Sequence, residues 1–190
     1  MVQETSLIYK VHETIYNKIF AERVSFIPSK ECDETLFVRL QTSIEVMKHI
    51  GPCLSTVEAK DTFNKCLKSS RDIKSGYMMW TIYENETSES IGFVAAVKTA
   101  ELNNWELGIF LLPEEQGKGF GAESLTAIWK SFIGSCLSVG VYARTHIKNT
   151  KTQNLLLKIG FEIDHSEVQP DVVKFTPKTT PKEHESVVAA

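Results

Sequence analysis

Long apolar runs are what this 190-residue chain most lacks. None approaches the roughly 20 residues of a membrane span, and no apolar leader follows Met1, so the cytoplasm is the expected setting, with no membrane partner. Cysteine is scarce as well. Cys32, Cys53, Cys66 and Cys136 are scattered without C-x-x-C spacing, which argues against a zinc site and a disulfide framework, and no metal is implied. Cys136, alone near a helix end, reads as core filler rather than as a covalent carrier. An excess of one charge is also missing. A net charge of −3 offers no broad basic field, which argues against nucleic acid as a ligand.

What is present suffices for one core. With 42% hydrophobic residues the chain suits a single domain and is short for two. We place that domain at residues 31–176. Residues 1–30 are expected as an ordered extension, and 177–190, with little to bury, as a disordered tail.

From Glu106 to Leu125 an apolar strand passes through Gln116-Gly-Lys-Gly-Phe-Gly121 into an amphipathic helix. Gly117, Gly119 and Gly121 alternate, so the turn can take positive φ and keeps side chains away from an approaching ligand. Leu125, Ile128, Trp129, Phe132 and Ile133 then recur at i, i+3, i+4, i+7 and i+8, a helix with one buried face beginning near Ala122. The unpaired amides and positive dipole end of that helix face the turn. Such a seat suits a pyrophosphate, with Lys118 as a mobile cation. A Walker A loop is excluded, since no Ser or Thr follows a Gly-Lys pair at the required spacing. A dinucleotide fingerprint fits better, because Gly117, Gly119 and Ala122 satisfy G-x-G-x-x-G/A. Against it, the strand Val139 to Thr145 ends in Arg144 without the expected acidic residue, and no βα alternation precedes the turn.

The same loop fits Q/R-x-x-G-x-G/A, and downstream comes Asn149-Thr-Lys-Thr152-Gln-Asn-Leu155-Leu-Leu-Lys158-Ile-Gly160-Phe161. Together the two resemble the coenzyme A loop and the N-x-x-[ST]-x-x-L-x-x-K-x-G-F helix and turn of the GNAT superfamily of acetyl-CoA-dependent N-acetyltransferases. Upstream, Glu106-Leu-Gly-Ile-Phe-Leu-Leu-Pro-Glu114 is similar to the fourth strand of the branch that acetylates ribosomal-protein N termini. The resemblance runs from Leu36 to about Thr176. It implies an α/β (α+β) fold: a mixed, mostly antiparallel, twisted sheet of about seven strands, splayed between strands four and five, with helices on both faces. Acetyl-CoA is the implied co-substrate and a small-molecule or peptide amine the implied acceptor, acetylated by direct attack in a ternary complex. The implied coenzyme contacts are Phe110, Leu111 and Leu112, along which the pantetheine arm lies like an extra strand. Further contacts are Gln116, Gly117, Lys118, Gly119, Phe120, Gly121 and Ala122 in the loop, with Asn149 and Lys158 beyond it.

Periodicity predicts the remaining elements. Thr35 to Gln41 reads as a strand, and Ser43 to Ile50 as a short helix stopped by Gly51-Pro52. Thr56 to Ser69 reads as a helix capped by Ser55 or Thr56. Tyr77 to Tyr83, Ser90 to Lys98 and Trp105 to Leu112 follow as antiparallel strands across short polar turns. The helix 122–135 crosses over to strand 139–145, expected parallel beside the strand that ends at Leu112. A helix 150–159, capped by Asn149 and ended by Gly160, leads to an antiparallel pair, Phe161 to Ser166 and Val172 to Thr176. Ahead of all these, Leu7, Tyr9 and Val11 alternate like a strand, while Ile15, Ile19 and Phe20 fall at helical spacing.

An attacking amine must be neutral. Near pH 7.4, deprotonating an amine of pKa about 10 costs about 4 kcal/mol, whereas an N-terminal α-amine of pKa about 8 needs only about 1. Glu106 is the expected base, sharing a strand face with Gly108 and Phe110. It lies some 13 Å from Phe110, so proton removal through water is expected. The competing reading is a surface or salt-bridged Glu on the sheet face. The helix after Asn149 carries Leu156 where many relatives have an acidic Tyr, which leaves the Thr152 hydroxyl as the group toward the departing sulfur. His146 ends the fifth strand and reads as structural. Two rivals stand beside the transferase: an acyl-CoA sensor without turnover, and an NADP-dependent oxidoreductase. The acceptor segments near Gly51 to Ser55 carry no readable code for the amine, and a homodimer is left open.

Overall fold

A computed structural model of the chain describes residues 16–99, 104–135, 140–166 and 169–178. The expectations for Leu7, Tyr9, Val11, Ile15, Asn103, Cys136 and residues 179–190 lie outside the described residues.

Alternating apolar residues build eight strands: β1 (Ile19–Phe20), β2 (Val24–Pro28), β3 (Tyr77–Glu84), β4 (Ser90–Lys98), β5 (Asn104–Leu111), β6 (Gly140–His146), β7 (Phe161–Ile163) and β8 (Val172–Pro177). They form one sheet in the order β1-β2-β3-β4-β5-β6-β8-β7. Neighbours are antiparallel except β5 and β6, which run parallel. Five helices accompany them: α1 (Glu34–Gln41), α2 (Ile44–Met47), α3 (Thr56–Arg71), α4 (Phe120–Ser135) and α5 (Thr150–Lys158).

Strand alternation sends Met78, Trp80 and Ile82 to one face and Met79 to the other, so the sheet carries two cores. On the first face Ile128 and Phe132 of α4 and Leu156 of α5 are buried to within 1%. On the second, Phe37 and Leu40 of α1 and Phe63 and Leu67 of α3 close over Met79 and Phe93. Each large side chain so buried stabilises the fold by roughly 1.5–3 kcal/mol. The buried Asp33 carboxylate accepts from the Lys30 amide (2.9 Å), the Thr81 hydroxyl (2.7 Å) and the Tyr83 hydroxyl (3.0 Å), tying the start of α1 to β3. Burial first, and then this carboxylate, push the Tyr83 phenol up.

Two sequence expectations are overturned here. Thr35 to Gln41 is helical rather than a strand. Leu36, Val38 and Leu40 do alternate, but the residues that bury are Leu36, Phe37, Leu40 and Gln41, a helical stripe packed on α3 and β4. The sheet also begins ahead of residue 31, because β1 and β2 pair onto β3 and place Val24 and Phe26 wholly in the core. In the last pair, β8 sits between β6 and β7, and β7 stops at Ile163. The three-strand meander β3-β4-β5, the crossover through α4 and the caps at Ser55 and Asn149 are as expected.

The feature that positions the site is where β5 and β6 part. Among the described residues they pair only at Asn104↔Gly140, Trp105↔Val141 and Glu106↔Tyr142. Beyond that point β5 stays with β4 as far as Leu111, while β6 stays with β8 as far as His146, so the sheet forks.

Candidate active site at the sheet fork

The β5 side of the fork is a main-chain site. Leu112 donates its amide to Ile91 O at 3.0 Å, toward β4. By the two-residue alternation of a strand, the main chain of Phe110 turns the same way, leaving that of Ile109 and Leu111 to face the gap. Leu112 was expected to hold a ligand through its backbone; its amide is already used and its side chain is buried in the second core. Gln116 closes the turn after β5 by donating from Nε2 to Leu111 O at 3.2 Å.

Gly117 and Gly119 both take positive φ, 79° and 92°, the left-handed conformations a tight turn demands. Space around Gly117 is open, whereas a Cβ on Gly119 would stand 3.0 Å from the Arg23 guanidinium. The first helical bond of α4 runs from the Glu123 amide to Gly119 O, so the amides of Phe120, Gly121 and Ala122 ahead of it have no partner within the helix. Gly121 lets α5 come close, since a Cβ there would meet Leu155 Cδ1 at 2.9 Å. Lys158 lies one turn past Leu155, exposed at the end of α5, on the helix that Gly121 brings to the loop. Lys118 pairs with Glu115 at 2.9 Å, and that hydrogen bond holds its pKa above the ordinary value. Ser124 Oγ and Trp129 Nε1, both on α4, are buried with no hydrogen-bond partner among the described residues.

A residue that the sequence reading missed fixes this loop. Arg23, in the turn between β1 and β2, donates its amide (2.6 Å) and Nε (2.9 Å) to Glu123 and a guanidinium nitrogen to Lys118 O (3.1 Å). The same guanidinium stacks over Phe120 at 5.0 Å from the ring centre. Nothing in local sequence links residue 23 to residue 123.

The second face of the fork is built from side chains. Glu106 accepts from Arg144 Nε at 3.1 Å and from a terminal nitrogen of the same guanidinium at 2.5 Å, with the Tyr142 hydroxyl at 3.3 Å from the second oxygen. Glu106 is thus held in an ion pair with Arg144. Burial first, then the Glu106 charge, raise the Tyr142 pKa. Gly108 follows on the same face of β5, and a Cβ there would touch nothing, so the strand lies open between Glu106 and Phe110. Asn149 accepts from the Thr152 amide at 3.2 Å and caps α5, while Thr152 stands half-buried in its first turn. Leu156 is 1% exposed, a core position that an acidic Tyr could not share unchanged. Thus Gln116 and the loop residues adjoin α5 through the Gly121–Leu155 contact, and Asn149, Thr152 and Lys158 lie on that helix or at its head. Glu106 stands at the apex, in a pair.

A groove of about 590 Å³ lies between β1 and α4, lined by Ile19, Phe20, Thr126 and Lys130 and reaching Ala122 and Glu123 at the start of the helix. It contains no β5 or β6 residue, and the chemistry is better sited where the strands part. Among the described residues no group of His, Cys, Asp or Glu could hold a metal ion, and no helix is long and apolar enough to cross a membrane.

Residues 23–162 match the family model described as acetyltransferase (GNAT) domain. Solved structures with this architecture include a GNAT-family acetyltransferase from Bacillus anthracis, 17% identical with a TM-score of 0.72, covering 87% of this chain and 99% of that one. Spermidine N-acetyltransferase from Vibrio cholerae, in complex with CoA and spermine, is 18% identical with a TM-score of 0.68, covering 80% and 94%. RimL, a ribosomal L7/L12 alpha-N-protein acetyltransferase in complex with coenzyme A, is 12% identical with a TM-score of 0.69, covering 84% and 96%. No curated protein sequence matches the chain significantly.

Proposed function

The chain belongs to the GNAT acetyltransferase family, and from that premise we propose that it transfers an acetyl group from acetyl-CoA to a primary amine by direct attack of the amine on the thioester. The observation that carries the reading is the fork itself: β6 leaves β5 after Glu106, and the unpaired edge of β5 ends in an open glycine turn at a helix N-terminus. An extended arm can pair along that edge at Ile109 and at the Leu111 amide, the Leu111 carbonyl being held by Gln116. Its pyrophosphate would be held by the amides from Gly117 to Ala122, with Lys118 and Lys158 as cations and Asn149 at the head of α5. Bound there, the coenzyme supplies a thioester carbonyl and a thiolate leaving group.

The chain's own residues then have four tasks. Main-chain amides facing the gap stabilise the developing oxyanion. Glu106, through Arg144 and Tyr142, fixes the apex from which the two strands diverge. A base role for Glu106 requires one oxygen to exchange its guanidinium partner for a water. Thr152 offers a hydroxyl toward the sulfur. RimL and the spermidine enzyme are named for amine acceptors, a protein N terminus and a polyamine, which fits a primary amine without choosing between them.

The test is calorimetric titration of the full chain with acetyl-CoA, followed by free-thiol detection against a panel of amines. We expect micromolar binding and amine-dependent thiol release. Tight binding without release for every amine would favour the non-catalytic acyl-CoA sensor instead.

A further inference from the structure

Arg23 lies outside every motif that the sequence displays, yet three parts of the chain converge on it. Its own backbone is fixed first. In the turn between β1 and β2 the Ala21 amide donates to Val24 O at 2.9 Å. From the turn after β3, Asn85 Nδ2 donates to Ala21 O and Glu22 O at 3.2 and 3.0 Å, and the Asn85 amide donates to Arg23 O at 2.8 Å. The side chain therefore reaches the glycine loop from an ordered base.

Resting on the reading of that loop as the acetyl-CoA seat, we propose that Arg23 is the positioning residue of the pyrophosphate site. It turns the Lys118–Gly119 peptide so that the Gly119 amide is presented to the phosphates, and it cancels the Glu123 charge beside them.

The peptide plane is the first reason. Arg23 Nη1 donates to Lys118 O at 3.1 Å. In a trans peptide the carbonyl and the following N–H point in opposite directions, so a Lys118 oxygen held toward Arg23 turns the Gly119 amide away from it. That amide has no partner among the described residues, and it joins those of Phe120, Gly121 and Ala122 as a fourth donor ahead of the first helical bond of α4. Successive amides of this kind form an anion-binding concavity. Gly119, at φ 92°, has no side chain to hold its own peptide plane, so the hold comes from outside. The Phe120 ring, 5.0 Å from the guanidinium carbon, supports the fork from its flat side.

Charge is the second reason. Glu123 belongs to the first turn of α4, within about 5.4 Å along the axis of the amides that would receive the phosphates. A carboxylate there suits the helix dipole but opposes an anionic ligand. Its side chain is only 17% exposed, so water screens it poorly. Arg23 neutralises it through Nε at 2.9 Å, while the Arg23 amide adds a second bond at 2.6 Å. The other acids of the loop are paired elsewhere, Glu115 with Lys118 and Glu114 with Arg39. The two halves of the Arg23–Glu123 pair are thus unequal. Removing Arg23 bares a carboxylate beside the phosphates and releases the peptide, whereas removing the Glu123 charge does neither.

The experiment titrates the full chain with acetyl-CoA by calorimetry and follows amine-dependent thiol release. We expect R23Q to raise the acetyl-CoA Kd by about tenfold, and E123Q to bind at least as tightly as the parent. The double variant R23Q/E123Q should recover about threefold over R23Q, because the bared charge is gone. R23K should recover about as much, since its ammonium still faces Glu123 but lacks the fork that reaches Lys118 O. Added salt should narrow the gap between R23Q and R23Q/E123Q. In turnover the R23Q loss should fall on the KM for acetyl-CoA, with kcat within about twofold of the parent. If R23Q does not fold, R23K against E123Q makes the same comparison, the first weaker than the parent and the second not. Equal losses in R23Q and E123Q, no recovery in R23Q/E123Q, or a loss confined to kcat would reduce the pair to a structural bond and overturn the proposal. The expected Kd series in a chain that releases thiol for no amine would overturn the transfer reading alone, and no binding of acetyl-CoA by the parent would overturn both.

Discussion

The two sides of the fork are made of different material. On the β5 side the binding groups are main-chain amides, set by glycines within a span of five residues and braced by Arg23. On the β6 side they are side chains brought together from Glu106, Tyr142 and Arg144, far apart in sequence. A main-chain site is sensitive to backbone geometry and indifferent to most neighbouring side chains. A side-chain site is the reverse. Substitutions on the first side should therefore act on coenzyme binding and stability, and those on the second on turnover.

The hardest break of that contrast is Gly92→Ala. The added Cβ would lie 2.1 Å from Phe110 O and 2.8 Å from Leu111 Cδ2, and the backbone oxygen cannot step aside without moving β5. We expect about 3 kcal/mol of lost stability in urea unfolding, the upper range for overpacking, with acetyl-CoA binding lost alongside. Unfolding within about 1 kcal/mol of the parent would mean that the β5 edge is not rigidly held.

Gly119→Ala comes next. Its φ of 92° strains any Cβ by about 1–2 kcal/mol, and the methyl would press on Arg23 as well. A weakening of acetyl-CoA binding by about tenfold should appear in calorimetry. Gly117→Ala meets only the conformational penalty at φ 79°, because nothing surrounds its Cβ. Equal losses at the two positions would show that Arg23 plays no part in shaping the loop.

On the β6 side, Glu106→Gln removes a charge that Arg144 and Tyr142 share. Side-chain exposures of 26% and 32% for the ion pair mean solvent already screens it, so the stability cost should be only about 1 kcal/mol. If Glu106 positions the apex, kcat falls by about tenfold and the pH profile keeps its shape, with acetyl-CoA affinity intact. A base would instead cost 10²-fold or more and remove the acidic limb of that profile, on the order expected for general catalysis.

The same contrast explains what the sequence could and could not disclose. Alternating glycines, the Gln116 anchor and the Asn149 cap are local requirements of the backbone, so they are written in adjacent letters and were legible. So was the parallel step from β5 to β6 through α4. Arg144 and Arg23 reach their partners across separations of 38 and 100 residues, where no periodicity connects them. Residues 35–41 misled because a β-branched and aromatic run alternates as well as it spirals, and only packing against α3 decided between the two periods. β1 and β2 were missed because Ile15, Ile19 and Phe20 fall at helical spacing, and only pairing onto β3 settles the extended backbone there.

The smallest effect belongs to Thr152. Its amide, not its hydroxyl, completes the α5 cap on Asn149 Oδ1, and an alanine retains that amide. Thr152→Ala should thus leave unfolding unchanged, whereas Asn149→Ala should cost about 1 kcal/mol through the lost cap. Turnover of Thr152→Ala then isolates the hydroxyl. Coenzyme A thiolate leaves without help at neutral pH, so we expect a fall of less than about threefold, against at least 10²-fold for a true acid. A larger fall, at unchanged acetyl-CoA affinity, would move Thr152 from the head of a helix into the chemistry and make α5 the one element serving both sides of the fork.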